Sequence, residues 1–147
     1  MTTMEERWAE QEPAASQVAI SPITPHLCVT DGAAAMEFYV RALAAEEVYR
    51  LPADDGKRIM NALVRINGAS VMVNDDFPEM RGGTALGAPS GVTIHLAVDD
   101  TDRWFDRAVA AGAKPTMPPA DMFWGDRYAQ IIDPFGHSWS FGAPVTK

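Results

Sequence analysis

Basic residues and cysteines are scarce in this sequence, and each shortage excludes a class of protein. Its 12 lysines and arginines stand against 20 aspartates and glutamates, which gives a net charge of −8. Nucleic acids and anionic membranes attract proteins through a basic surface, so we expect neither as a partner. Because Cys28 is the single cysteine, we expect no internal disulfide and no cysteine-based zinc cluster.

Long apolar runs are missing as well. No stretch approaches the roughly 18 consecutive apolar residues that a membrane-spanning helix needs. Residues 1–17 are polar and acidic and lack the basic start and apolar centre of a signal peptide. We therefore expect a cytoplasmic protein with an N-terminal tail at 1–17. The hydrophobic fraction of 47% in 147 residues is that of one globular domain with a core.

The chain contains an internal repeat. The segments ITPHLCVTD, residues 23–31, and VTIHLAVDD, residues 92–100, share Thr, His, Leu, Val and Asp at matching positions 69 residues apart. Arg58 and Arg127 repeat the same spacing further along the chain. A pattern that occurs twice predicts a duplicated half-domain, since a solenoid needs more repeats to bury a core.

Both copies show the same succession of predicted elements. Alternation of apolar and polar residues indicates a strand at the start of each copy. An aspartate, Asp31 or Asp100, then opens a helix, expected over residues 32–47 and 101–111. A hairpin ends each copy, and the Asn-Gly pair at 67–68 is the turn signal of the first.

These elements predict one α+β domain, residues 18–147, composed of two βαβββ modules. We place the modules at 18–75 and 91–144. The segment between them, residues 76–90, is rich in glycine and proline and is predicted to be an exposed linker.

The polar faces of the first strands carry the strongest functional signal. If each helix covers the apolar face of its strands, the opposite faces are left to form a curved mixed sheet around a central cleft. Equivalent residues of the two copies would line this cleft, namely Thr24, His26, Thr93 and His95. A concave site with a few placed polar groups is typical of small-molecule binding.

The motifs HLCVTD and AAAMEFY in the first copy, and WGDRY and DPFGHSW in the second, resemble those of the vicinal oxygen chelate superfamily. This superfamily includes glyoxalase I, extradiol dioxygenases, fosfomycin-resistance enzymes and bleomycin-resistance proteins. The resemblance extends over residues 20–144 and is strongest to the PhnB-like branch. It implies the glyoxalase/bleomycin resistance fold, often as a homodimer, with a cleft that holds a metal or a drug.

The metal positions of that superfamily hold poor metal ligands in this chain. The resemblance maps them onto Thr24 and Met72 in the first copy and onto Thr93 and Ser140 in the second. Catalytic zinc needs about three good protein ligands, so we expect no metal cofactor. The alternative is an offset divalent-metal site that uses His26 and His95. The candidates for its third ligand are Asn61, Asp99 and His137.

Two functions remain open. The first is a metal-free protein that binds an aromatic or cationic small molecule, as bleomycin-resistance proteins do, with antibiotic resistance as one biological role. Its expected ligand-binding residues are His26, His95, Thr24, Thr93, Asn61, Met72, Phe123, Trp124 and Ser140. The second is a glyoxalase-type lyase or isomerase, in which a divalent metal polarises the substrate. A purely structural module has little support, and no residue is assigned as catalytic.

The remaining features have structural explanations. Arg58 and Arg127 are expected to pair with aspartates near them in sequence rather than with an anionic ligand. The candidate partners are Asp54, Asp55 and Asp126. Trp139 and Phe141 fall on the helix-facing side of their strand and should be buried. Trp8 is the candidate in the N-terminal tail for a contact in the expected homodimer.

Overall fold

The computed structural model describes residues 21–145, in which the order βαβββ occurs twice. The elements are β1 (His26–Val29), α1 (Gly32–Leu43), β2 (Glu46–Pro52), β3 (Ile59–Ile66), β4 (Ala69–Asp75), a 3₁₀ helix (Pro78–Arg81), β5 (Thr93–Ala97), α2 (Thr101–Ala110), β6 (Lys114–Asp121), β7 (Asp126–Ile132) and β8 (Ser138–Pro144). The predicted α+β class is confirmed.

No helix of the described part is long and apolar enough to cross a membrane. The tail at 1–17, with Trp8, lies outside the described residues.

Each module forms its own mixed four-stranded sheet. The strand orders are β1-β4-β3-β2 and β5-β8-β7-β6. In both sheets the first strand of the module runs parallel to the last, and the other pairs are antiparallel. The registers also match, because His26 lies opposite Met72 in one sheet and His95 lies opposite Ser140 in the other. The repeat seen in the sequence is therefore a structural repeat.

The predicted alternation of buried and exposed side chains along the first strand of each module is confirmed. Leu27 and Val29 are buried on one face of β1, and His26 is exposed on the other. In the second sheet Leu96 is buried and His95 exposed. Trp139 and Phe141 are both fully buried, as their parity predicts. One face of each first strand is thus part of the core, and the other exposes a histidine, His26 in β1 and His95 in β5.

Helix ends and turns follow the predicted chemistry, with one exception. Asp31 and Asp100 each accept a hydrogen bond from the backbone amide three residues later, at 3.1 Å, and so cap the helices. At the hairpin turn, Asn67 and Gly68 adopt φ values of 52° and 81°, as a type I′ turn requires. Helix α1 was expected to continue to residue 47, but it ends at Leu43 because the next residue is left-handed and the chain then enters β2.

The pattern analysis gave no position for β2 or for β6. The sequence of β6, KPTMPPAD, contains three prolines and does not alternate in hydrophobicity. Proline lacks the amide that a central strand needs, but it is tolerated at a sheet edge. Strand β6 is the edge strand of its sheet, and its pairing with β7 contains two register shifts. Only the sheet order reveals it as a strand.

The described chain divides into two compact units, and the division falls within α1. The first unit contains the residues through Glu37 together with Ala45–Leu86, and the second contains Phe38–Ala44 and the residues from Gly87. In the second unit the hydroxyl of Tyr39 donates to Asp133 at 2.6 Å. The end of α1 therefore packs with the second sheet, whereas the sequence had assigned α1 to the first. The boundaries at 75 and 91 stay predictions.

Candidate functional site

Four rings form a continuous series on the open face of the second sheet. The imidazole of His95 lies nearly parallel to the ring of Tyr128, with 5.9 Å between centroids and 17° between planes. Trp124 contacts Tyr128 edge-on at 5.7 Å, and Phe123 contacts Trp124 in the same way at 5.0 Å. We call His95, Tyr128, Trp124 and Phe123 the aromatic ladder. It extends from a hairpin tip to the strand at the opposite edge of the sheet.

The hairpin between β6 and β7 exposes two of these rings. Its turn is closed by a 3.0 Å hydrogen bond from the amide of Gly125 to the carbonyl of Met122, and Gly125 has a φ of 96°. Phe123 and Trp124 lie at the tip, where 98% and 51% of their surfaces are exposed. Exposed apolar patches often mark interaction sites. The tip is therefore a candidate contact surface.

The imidazole of His95 is fixed in place by its neighbours. Its Nδ1 shares a 2.8 Å hydrogen bond with the hydroxyl of Ser140, which is 1% exposed. Gly142 lies directly beneath the ring, because a Cβ there would come within 2.8 Å of Cε1 and 3.1 Å of Nε2. A side chain at this position would displace the imidazole. His95 is thus preorganised, and its Nε2 is left to contact a ligand.

The equivalent face of the first sheet is built differently. Met72 occupies the position of Ser140, so His26 has no hydroxyl opposite it in the register. The thioether of Met72 instead packs against a buried pair, Tyr49 and Leu63. The Tyr49 hydroxyl donates to Oδ1 of Asn61 at 3.1 Å, and burial raises the pKa of that hydroxyl. The histidines match in sequence, but only His95 is held by a serine.

The structure places the nine predicted ligand-binding residues in two groups. The second unit brings His95, Ser140, Trp124 and Phe123 into one chain of contacts. Thr93, two residues before His95, shares a 3.0 Å hydrogen bond with Ser138 at the end of the same strand pair.

The other group belongs to the first unit. His26 and Met72 are register partners, and Asn61 lies on the neighbouring strand β3. Thr24 precedes β1 and donates from its hydroxyl to the carbonyl of Ser21 at 2.9 Å, so it points back along its own chain.

Sequence reasoning missed three residues of this face: Tyr128, Gln130 and Gly142. Tyr128 stands inside the WGDRY motif, and the alternation along its strand places it on the open face. These two features could have identified it from the sequence. The amide of Gln130 donates to the Tyr128 hydroxyl at 2.7 Å and holds that ring. The role of Gly142 has no sequence signal, since it depends on how closely β5 approaches β8.

The residues at the superfamily's metal positions do not fit a divalent metal. Each hydroxyl, on Thr24, Thr93 and Ser140, is already hydrogen-bonded within its own unit. Met72 offers only a thioether, and hard cations require oxygen ligands. Within either described unit, no three His, Cys, Asp or Glu side chains are grouped so that they could hold a metal. We therefore derive no catalytic step through a metal.

Both repeated arginines are occupied by carboxylates. Arg58 pairs with Asp55 at 2.6 Å, as predicted, and also with Glu79 at 2.7 Å. Arg127 pairs with Asp102 and Asp121, at 2.6 and 3.0 Å. The expected partner Asp126 was wrong, because successive residues of a strand point to opposite faces. Neither guanidinium is free to bind an anionic ligand.

The Arg58 cluster leads to a prediction about acid stability. Hydrogen bonds from Arg58 lower the pKa of Glu79 from its usual 4.5 to about 2. A lowered folded-state pKa stabilises the protein above the unfolded pKa, and this contribution is lost as the pH falls through the folded value. Glu79→Gln should therefore be less stable than the native protein at neutral pH, and the difference should shrink from pH 4.5 towards about 2. Urea unfolding across this range checks it, and a difference that stays constant would contradict it.

Two successive βαβββ modules, each with a mixed four-stranded sheet, define the fold, and the comparison with known families agrees with it. The model of the glyoxalase/bleomycin resistance protein/dioxygenase superfamily matches residues 18–141. The chain belongs to this superfamily, as its motifs indicated.

Individual relatives support the same assignment. An uncharacterised Mycobacterium bovis protein, Mb0911c, is 51% identical over 130 residues, which cover 85% of this chain and 84% of the relative. TioX from Micromonospora sp. ML1 is similar in structure, with a TM-score of 0.66, 29% identity, and coverage of 85% of this chain and 99% of TioX. The fosfomycin resistance protein FosX of Listeria monocytogenes has a TM-score of 0.65 at 18% identity, covering 87% and 96% of the two chains, and shares the fold.

Proposed function

We propose that this protein binds a small organic molecule with a flat aromatic part on the open face of its second sheet, without a metal. The observation that carries the proposal is the exposed aromatic ladder, which ends at a fixed imidazole. Aromatic rings stack on one another with a gain of about 0.5–1.5 kcal/mol beyond the area that they bury. The Nε2 of His95 then supplies one oriented hydrogen bond.

Binding, rather than catalysis, is supported by the chemistry of the face. Its polar groups hold rings in place, as Ser140 does for His95 and Gln130 does for Tyr128. Burial and the nearby Asp76 raise the pKa of the Cys28 thiol, which disfavours the thiolate that a nucleophile needs. The first-sheet residues His26, Asn61 and Met72 stay predicted ligand contacts. The PhnB-like assignment, the homodimer, the cytoplasmic location and a role in antibiotic resistance belong to this proposal as well.

Removal of the Trp124 ring should weaken ligand binding. We expect Trp124→Ala to lower the affinity for a planar probe such as acridine by tenfold or more, which corresponds to about 1.4 kcal/mol. Because about half of the Trp124 side chain is buried and contacts Phe123 and Tyr128, the affinity is measured at a temperature at which unfolding curves show both proteins to be folded. Fluorescence anisotropy of the probe measures the affinity.

Val92→Ala is the matched control. Val92 is an apolar side chain of the same unit and is 73% exposed, but it lies outside the aromatic ladder. This variant should bind acridine as the native protein does. Equal affinities of Trp124→Ala and Val92→Ala, or no binding of planar aromatic probes by the native protein, would contradict the proposal.

Metal analysis separates the proposal from the lyase alternative. We expect the purified protein to hold no stoichiometric metal and to show no thermal shift with Zn²⁺, Ni²⁺ or Mn²⁺. Stoichiometric metal that disappears in His26→Ala or His95→Ala would instead support a divalent-metal enzyme with the two histidines as ligands.

A further inference from the structure

We propose that Asp126 makes this face selective for a positively charged aromatic ligand. The inference rests on the proposed function, since it concerns the charge of the molecule that stacks on the aromatic ladder. Asp126 begins β7 and precedes Tyr128 by two residues. Residues two apart on a strand share a face, so the carboxylate lies on the same open face as the ladder.

The carboxylate of Asp126 and the imidazole of His95 both lie close to Gly142. Its Oδ2 is 3.9 Å from the point where a Cβ of Gly142 would stand, and Nε2 of His95 is 3.1 Å from the same point. Both polar groups therefore border one small area above the bare backbone of Gly142. A charged nitrogen of a ligand that stacks on Tyr128 or Trp124 can reach this area, because Trp124, Tyr128 and His95 follow one another within 6 Å steps.

Arg127, the basic residue next to Asp126 in sequence, does not neutralise its charge. Arg127 points to the other face, where Asp102 and Asp121 bind it. Within residues 21–145, no basic side chain forms an ion pair with Asp126. Lys114 pairs with Ile132 at the far end of β7, six residues away, or about 20 Å along a strand. The Asp126 end of the face thus has a negative local charge.

The rings and the carboxylate favour the same kind of ligand. The face of an aromatic ring is electronegative and attracts a cation that lies over it. A flat cation on Trp124 or Tyr128 would combine this attraction with the charge of Asp126. Both would repel an anion, and Arg127 of the same unit is already paired with Asp102.

Acridine and N-methylacridinium form a test pair, since they share one ring system and differ in a fixed positive charge. At a pH where acridine is neutral, we expect the native protein to bind N-methylacridinium more tightly, by a factor of about ten at low salt. Asp126→Asn should lose most of this preference and keep its affinity for acridine. Asp106→Asn is the control, because it changes the net charge equally at an exposed position on α2.

Each outcome decides one of the two proposals. Equal affinities of the native protein for both probes, or a preference in Asp126→Asn that equals that of Asp106→Asn, would overturn selection by Asp126 and leave the stacking site intact. Failure of both probes to bind, or binding that Trp124→Ala does not weaken, would overturn the site itself.

Discussion

Replacement of Asp133 with alanine is expected to destabilise the protein by about 3–5 kcal/mol. Its carboxylate is 3% exposed and accepts four hydrogen bonds. The donors are the hydroxyl of Tyr39 at 2.6 Å, the indole nitrogen of Trp139 at 2.9 Å, and the amides of Phe135 and His137 at 2.9 and 3.0 Å. Alanine would leave these donors without their acceptor, and each buried unsatisfied donor costs about 1–3 kcal/mol.

Urea unfolding measures this effect. Asp106→Ala provides the control, because Asp106 is exposed on α2 and its loss should change stability by no more than about 0.5 kcal/mol. Asp133→Asn should fall between the two variants, since the amide keeps one acceptor oxygen and loses the other. If Asp133→Ala unfolded at the same urea concentration as Asp106→Ala, the carboxylate would not hold the second unit together.

Asp75→Ala is expected to destabilise the first unit by about 2–4 kcal/mol. Asp75 is 4% exposed and accepts from the amide of Gly32 at 2.7 Å and from that of Ile59 at 2.6 Å. It thereby joins the end of β4 to the first residue of α1 and to the start of β3. Both amides would lose their acceptor in the variant.

Hydrogen exchange can localise this effect. The amides of Gly32 and Ile59 should exchange faster in Asp75→Ala than in Glu37→Ala, which removes an exposed carboxylate from α1. Gly32 is also constrained, because a Cβ there would collide with the Asp75 carboxylate. Unchanged protection of these two amides would show that water or another group replaces the carboxylate.

Local patterns predicted much of the fold. Alternation in HLCV and its repeat placed the buried and the open faces of β1 and β5, and the aspartates Asp31 and Asp100 marked both helix starts. The Asn-Gly pair at 67–68 located the hairpin of β3 and β4. These features depend on residues a few positions apart, so they can be found without knowing what packs against them.

The site was predicted in part for the same reason. The alternation along β5 and the repeat placed His95 on the open face, and the resemblance to the superfamily singled out Ser140. The hydrogen bond between His95 and Ser140 could not be predicted, because the two residues are 45 positions apart in sequence and meet only when β5 pairs with β8. Tyr128 and Gly142 were missed for the same reason. Tyr128 stacks on His95, and Gly142 leaves room for the His95 ring, so both roles depend on a residue of another strand.

By itself, then, the sequence determined a duplicated α+β fold, the face of each strand that is buried, and the superfamily, because period, turn chemistry and motifs are local. Only the tertiary structure decided that Ser140 holds His95 whereas Met72 lies opposite His26, that Glu79 and Asp102 join the ion pairs of the repeated arginines, and that Asp75 and Asp133 are buried acceptors. Those outcomes depend on which distant groups come within hydrogen-bonding distance. Tyr39 and Asp133, which are 94 positions apart, are the clearest example.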